Sequence, residues 1–333
     1  MRLKPLLGFF VYAATVAIIV GVIAILWANH QFTKPQNIAA PTLLEIERGM
    51  GVSAIAHKLE EAALIDNRLI FAAGVRAKGW QRDLQAGEYK IAAQSSMRDI
   101  AQQFKEGKTY KRLITIREGL TSFEIVRLLN ESDQLTGEIR TIPPEGTLLP
   151  ETYNIQKGET RADLLVRMAR AMLDALDEEW EERADNLPIT TKKEALILAS
   201  IIEKETGKPE EHRAVAGVFI NRLRKNMPLQ TDPTVIYAIT MGKHENDGKG
   251  PLGRRLLRKD MAVDSPYNTY KYSGLTPGPI ANPGLAAIKA ALNPESHDYI
   301  YFVADGTGGH VFAKTLAEHN KNAAEWRKIR AAQ

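Results

Sequence analysis

The chain has no cysteine among its 333 residues. Disulfides, Cys-ligated zinc, iron–sulfur clusters and thiol nucleophiles are excluded together, and the chain can work in an oxidising compartment with no thiol to protect. A dense basic face is also lacking: Lys+Arg 44 against Asp+Glu 40 leaves +4, so nucleic acid is a poor first partner. The 7 His include no HExxH pair, and His310 and His319 read as fold-supporting residues rather than zinc ligands. There is no G-x-S-x-G elbow, so Ser200 reads as a packing residue. The glycine-rich run Asp305–Gly309 lacks the Lys-Ser/Thr of a phosphate loop and reads as a hairpin turn between YIYFVA and HVFAK. What is present, 44% hydrophobic and 25% charged residues, is ordinary globular composition in a chain long enough for roughly two domains.

The longest apolar run decides where the rest works. From Leu6 to Ala28 about 23 residues carry no charge, enough as a helix to cross a hydrocarbon layer. Arg2 and Lys4 precede it, and apart from His30 the first basic residue beyond it is Lys34. The positive bias keeps residues 1–5 in the cytoplasm and sends the remainder outside. A cleaved signal peptide is the competing reading, but the apolar core is too long for one and no Ala-x-Ala closes it near Trp27.

After a spacer, 29–41, one spacing recurs three times. Ile46 is followed nine residues on by Ile55 and four more by Leu59; Ile91 leads likewise to Ile100 and Phe104, and Ile116 to Ile125 and Leu129. Each first Ile lies in a strand-like run, and a pair four apart suits one helix face, so each copy is predicted as strand, turn, helix. Thr121 with Glu124 forms a capping box and Ser96 with Asp99 a looser one. An extra helical stretch, Arg68 to Lys78, divides the first two copies.

The most informative stretch is TTKKEALILASIIEKETGKPEEHR. Thr191 and Glu194 make a capping box, and Gly207 with Pro209 stops the helix. At 100° per residue, Glu205 falls inside the apolar arc of Ala195, Ile197, Leu198, Ala199, Ile201 and Ile202, whereas Glu203 falls beside Ser200 at the polar edge. A carboxyl group on an apolar face keeps its proton, which is what a general acid needs in order to protonate a leaving oxygen. The alternative is that Glu205 snorkels, or pairs with Arg213 or Arg222 of the next helix.

The runs ASIIEKET, VFINRL, LQTDPTVIYA, SPYNTY, GLTPGPIANPG and YFVADGTGGHVFAKTLAEHN, in this order, resemble the YceG-like family of endolytic murein transglycosylases. The resemblance extends more loosely through the anchor and the repeats. It implies an inner-membrane protein with a periplasmic LysM-like module and a catalytic domain that cleaves nascent peptidoglycan glycan strands, with Glu205 of the KET triplet as the acid. It implies no metal and no cofactor, and it makes glycan strands, the inner membrane and peptidoglycan synthases the candidate partners. In this class one Glu protonates the bridging oxygen and then takes the proton of the C6 hydroxyl of the same N-acetylmuramic acid, closing a 1,6-anhydro ring.

The other motifs read as walls of a sugar site. Asp232 before Pro233 is predicted as a helix N-cap, and could instead hold a sugar hydroxyl or act as a second acid. Gln230 could bond an acetamido group. Tyr267, Asn268 and Tyr270 combine flat faces with polar tips. Pro277, Gly278, Pro279, Pro283 and Gly284 give a rigid loop from which Asn282 could reach a substrate amide. Arg254, Arg255, Arg258 and Lys259 read as a solvated face. The expected fold class is α+β: a transmembrane helix 6–28, a linker 29–41, a LysM-like α+β module 42–112, a third strand-helix copy and connector 113–158, and a mostly helical catalytic domain 159–333 with a small sheet. The rivals are a glycan-binding scaffold without turnover and a hydrolase that uses Glu205 with Asp232.

Overall fold

The computed structural model describes residues 4–243 and 252–332; Arg2 of the topology argument lies outside them. The fold is α+β, helices with three separate two-stranded antiparallel sheets among the described residues, and it divides into two compact units, Met1–Lys111 and Arg112–Gln333.

In the first unit α1 (Lys4–Thr33) is a 30-residue helix, and its stretch Val11–Thr33 is long and apolar enough to cross a membrane. From Val11 to Trp27 its apolar side chains are exposed, Ile18 at 67% and Ile25 at 70%. Its end joins a protein core. There Phe32 packs on Gly74, where a Cβ would lie 2.5 Å from the Phe32 ring. Gly74→Ala is therefore expected to destabilise this unit by about 1–3 kcal/mol, the usual cost of overpacking, read as a lowered urea midpoint.

That core is built by the repeat. β1 (Thr42–Ile46) and β2 (Gly87–Ile91) pair antiparallel with Leu44 opposite Tyr89. They alternate with α2 (Val52–Glu61), α3 (Arg68–Ala77) and α4 (Met97–Lys105). The spaced residues Ile46, Ile55, Leu59, Ile91, Ile100 and Phe104 are all buried in it. The Ser96–Asp99 pair is a complete capping box, with both reciprocal bonds present.

The second unit repeats the plan. β3 (Arg112–Thr115) pairs with β4 (Thr152–Ile155), followed respectively by α5 (Ser122–Glu131) and α6 (Arg161–Glu181). The repeat thus has four copies rather than three, because Ile155, Leu164 and Met168 carry the same spacing and are all buried. Tyr89 and Tyr153 occupy equivalent positions, each hydroxyl donating to the carbonyl four residues earlier, Gln85 at 2.8 Å and Leu149 at 2.7 Å.

Around α7 (Lys192–Glu205) pack α6, α8 (His212–Arg224), α9 (Asp232–Thr240) and α10 (Leu285–Leu292). The capping box of Thr191 and Glu194 starts α7, and Thr206 closes it. Ser200 is fully buried among these neighbours, donating to Ile197 O at 2.7 Å and accepting from Ile280 N at 3.0 Å. The hairpin of β5 (Tyr301–Ala304) and β6 (His310–Ala313) and the helix α11 (Leu316–Ala332) complete the unit.

Candidate active site

Glu205 is the last residue of α7, where four carbonyl groups lose their helical partners and the helix end carries partial negative charge. The residue is half-buried: its carboxyl group lies deep among protein atoms, while Oε1 has no partner among the described residues and is not sealed from solvent. Oε2 accepts a 2.5 Å hydrogen bond from Thr231 Oγ1. Burial pushes the carboxyl above its ordinary range; the Thr231 bond works against this, Asp232 adds to it, and His310 and Arg222 oppose it. Neither arginine considered from the sequence forms an ion pair with it. Arg213 Nε donates to Asn293 O, and the buried Arg222 donates to Ile300 O at 2.7 Å and Leu229 O at 2.8 Å.

Two loop segments are joined beside this carboxyl by Thr269 of SPYNTY. Its carbonyl accepts from Gln230 N at 3.2 Å, its hydroxyl accepts from Thr231 N at 3.1 Å, and the same hydroxyl lies 2.8 Å from Thr234 Oγ1. Gln230 is held at φ +51°, a conformation that costs a non-glycine residue free energy and that the flanking bonds impose. Its side chain is exposed, between buried Leu229 and buried Thr231.

The helix after it starts one residue earlier than the sequence suggests. Thr231, not Asp232, is the N-cap, and its hydroxyl is turned to Glu205 instead of capping; Asp232 is the first helical residue. Asp232 is exposed and accepts a 2.6 Å bond from Tyr270 Oη. Burial and this bond push the Tyr270 phenol upward. Glu205, Thr231, Asp232, Gln230 and Tyr270 therefore form one group.

The remaining candidates are placed differently. Tyr267, half-buried, packs its ring against Tyr237 with centroids 5.0 Å apart and the planes tilted by 50°. Asn268 is fully buried; its Nδ2 donates to Met261 O and Val263 O, and its Oδ1 accepts from Tyr270 N. Asn282 is also fully buried. Its Oδ1 accepts from Leu148 N at 3.0 Å, and its Nδ2 donates to Leu120 O and Ser122 Oγ, each at 3.1 Å. Instead of projecting from a lip, Asn282 ties the proline-rich loop to the 120–148 region. Of the basic cluster, Arg254 is spent on Asp260 through 2.6 and 2.9 Å bonds, which hold that carboxyl down at about 2.

Glu203 is also unlike its sequence-based reading. Its Oε2 accepts from Gly284 N at 3.0 Å, and burial raises its carboxyl to about 7, with Glu118 adding to the rise. Glu145, bonded by Ser122 N at 2.9 Å, is likewise raised by burial to about 7. A carboxyl whose folded-state value lies above its ordinary 4.5 takes up protons on folding. Its stabilising contribution is complete below about 4.5 and is lost as pH rises through about 7. The melting temperature of the full chain should fall by several degrees between about pH 5 and about pH 8, and Glu145→Gln should flatten that slope. An equal slope in both proteins would contradict the assignment.

Thr231 and Thr269, which the sequence did not single out, hold the group together, and Arg222, considered from the sequence as an ion-pair partner, instead bonds the Leu229 carbonyl beside them. A threonine directly before Asp-Pro was the available signal for the first.

A profile of the YceG-like family matches residues 44–325. The endolytic murein transglycosylase of Bacillus subtilis (strain 168) is 35% identical over 309 residues, covering 84% of this chain and 82% of that protein. The protein of the same name from Streptococcus pneumoniae serotype 2 is 32% identical over 329 residues, and the match spans 57% of its length. A crystal structure of a yceG-like protein from Listeria monocytogenes, 32% identical, covers 84% of this chain and 98% of its own with a TM-score of 0.50. On matches of this extent, the chain belongs to the YceG-like family.

Proposed function

We propose that the protein is a membrane-anchored endolytic peptidoglycan lytic transglycosylase with Glu205 as acid and then base. The observation that carries this reading is a carboxyl group raised by burial, with one oxygen fixed by Thr231 and the other free. The names of the Bacillus and Streptococcus relatives support the substrate and reaction class.

In this reading Glu205 Oε1 gives its proton to the oxygen between N-acetylmuramic acid and N-acetylglucosamine as the C1–O bond breaks. The substrate's own acetamido group stabilises the positive charge developing at C1. The glucosamine end leaves as an alcohol, and Glu205 is now a carboxylate, with Thr231 Oγ1 donating a charge-assisted bond to Oε2. The carboxylate takes the proton of the C6 hydroxyl while O6 bonds to C1, closing the 1,6-anhydro ring and restoring the acid. No water enters, and the tethered hydroxyl acts at high effective concentration. Gln230, Asp232, Tyr267 and Tyr270 serve as sugar contacts; Asn268 and Asn282 shape the loops behind them.

The strand-helix module of the first unit serves as a LysM-like glycan grip. α1 is the inner-membrane anchor, with the amino end cytoplasmic and Trp27 near the outer interface, so that both units face periplasmic glycan strands beside peptidoglycan synthases.

The exposed carboxylate of Asp232 within electrostatic reach of Glu205 favours one second reading, a two-carboxylate hydrolase. Full-length protein incubated with glycan strands in ¹⁸O-water separates the two. Transglycosylation gives unlabelled ends one water lighter than reducing ends, and hydrolysis gives labelled, heavier ones. Asp232→Asn should lower the rate by about tenfold without changing the product, whereas a second catalytic acid would cost about a hundredfold or more.

A further inference from the structure

Thr231 is the N-cap of α9, yet its hydroxyl donates to Glu205 Oε2 and makes no cap bond, so the backbone groups at this helix start need other partners. Two further threonines supply them. Thr231 N donates to Thr269 Oγ1 at 3.1 Å, Thr269 Oγ1 lies 2.8 Å from Thr234 Oγ1, and Thr234 Oγ1 donates to Thr231 O at 2.7 Å. A hydroxyl has one hydrogen to give, and that of Thr234 goes to the carbonyl, so Thr269 is the donor to Thr234. The bonds close a ring that runs from the N–H of Thr231 through two hydroxyls to its own carbonyl. All three threonines are buried, so a broken link leaves a polar group without a ready replacement.

The ring fixes both backbone groups of Thr231 and leaves its hydroxyl to be directed. Gln230 N donates to Thr269 O at 3.2 Å and Tyr270 Oη to Asp232 Oδ1 at 2.6 Å, so the SPYNTY segment also holds the residues on either side of Thr231. Ordinarily the hydroxyl of an N-cap threonine turns back to accept from the N–H two or three residues on. Here neither donor competes for it. Pro233 has no N–H, and Thr234 N is engaged by Thr231 O at 3.2 Å.

We propose that Thr269 and Thr234 are positioning residues for Glu205, their hydroxyls closing a ring on the Thr231 backbone that directs the Thr231 hydroxyl onto the carboxyl group. Both act through Thr231, and no proton moves along the ring. The inference rests on the proposed acid-then-base reading. It adds that the segment carrying the sugar contacts Tyr267 and Tyr270 also sets the bond that Glu205 needs once it has become a carboxylate.

The test is kcat and KM against pH for the full-length chain on glycan strands, with Thr231→Val as the reference. Thr269→Val should lower kcat about 5–30-fold with KM within about twofold, and move the alkaline limb of the profile upward, the direction expected when the Thr231 bond is weakened. The charged and titratable groups around Glu205, which are Asp232 from α9, Arg222 from α8, Tyr270 from the SPYNTY segment and His310 from the hairpin, are the same in every variant. Thr269→Ser, which keeps the hydroxyl, should recover most of the rate, and Thr234→Val, which opens the ring at another link, should act like Thr269→Val. Combining Thr231→Val with Thr269→Val should cost no more than about twofold beyond Thr231→Val alone, because the ring works only through that hydroxyl. An unchanged kcat in Thr269→Val, a fall in kcat with an unmoved limb, or losses that multiply in the double variant would overturn the inference while leaving the proposed function standing. Absence of cleavage by the unaltered chain would overturn both. Should one of the two valine variants of the ring fail to fold, the other decides by the same readouts.

Discussion

Glu205→Gln should reduce glycan cleavage by about a thousandfold or more, because in the proposed mechanism one group supplies both proton transfers and each is worth about 10²–10⁴ in rate. The amide keeps the size of the side chain, and Thr231 Oγ1 can still donate to its carbonyl, so the protein should remain folded with a melting temperature little changed. What it loses is the proton on Oε1 and the base that forms when the proton leaves. Glu203→Gln is the matched control. Its carboxyl, raised to about 7, is also buried, but its Oε2 is occupied by Gly284 N on the side of α7 that faces the 118–119 turn. Glutamine can accept the same bond, so activity within about threefold of the unaltered chain is expected. Equal losses in the two variants would refute the assignment within the helix.

Thr231→Val should lower kcat by about 10–100-fold. The 2.5 Å bond to Oε2 does little while Glu205 is an acid and most when it is a carboxylate. A hydrogen bond to a charged group contributes about 1.5–3 kcal/mol, and about 1.4 kcal/mol is tenfold in rate. Valine matches threonine in shape, and the backbone bonds from Thr231 N to Thr269 Oγ1 and from Thr234 N to Thr231 O do not need the hydroxyl. Substrate affinity should therefore hold while turnover falls. The pH profile supplies a second readout: the Thr231 bond lowers the Glu205 value, so its removal should extend activity to higher pH at a reduced maximum. Thr231→Ser, which retains the hydroxyl, should recover most of the rate.

These effects trace back to features that differ in how locally they are encoded. Three copies of the strand-helix repeat were legible because Ile46, Ile91 and Ile116 each lie within thirteen residues of the helix positions they pack against. The fourth was missed because Leu164 and Met168 sit inside what reads as one continuous helix, Arg161–Glu181. Glu205 was legible from the apolar arc of its own helix. Glu203 was not, since the groups that cover it, Gly284 and the 118–119 turn, come from distant parts of the chain.

The same limit governs the loops. Asn268 and Asn282 sit among tyrosine, proline and glycine and look like surface residues, yet their amides are consumed by carbonyl groups and N–H groups inside the unit. A polar side chain in an irregular segment either meets solvent or replaces the backbone bonds that the segment lacks, and the local sequence does not say which. Thr231 shows the converse. Its position marks a helix start, where the usual role for its hydroxyl is capping, and only the approach of α7 turns it to the carboxyl group.

The most direct measurement is the protonation state of Glu205 itself, by difference infrared spectroscopy of the full-length chain against Glu205→Gln at about pH 7. The account calls for a protonated-carboxyl band in the unaltered protein that is missing from the variant and survives when a saccharide binds. A difference spectrum showing only ionised carboxylate at this position, at neutral pH and with sugar bound, would contradict it.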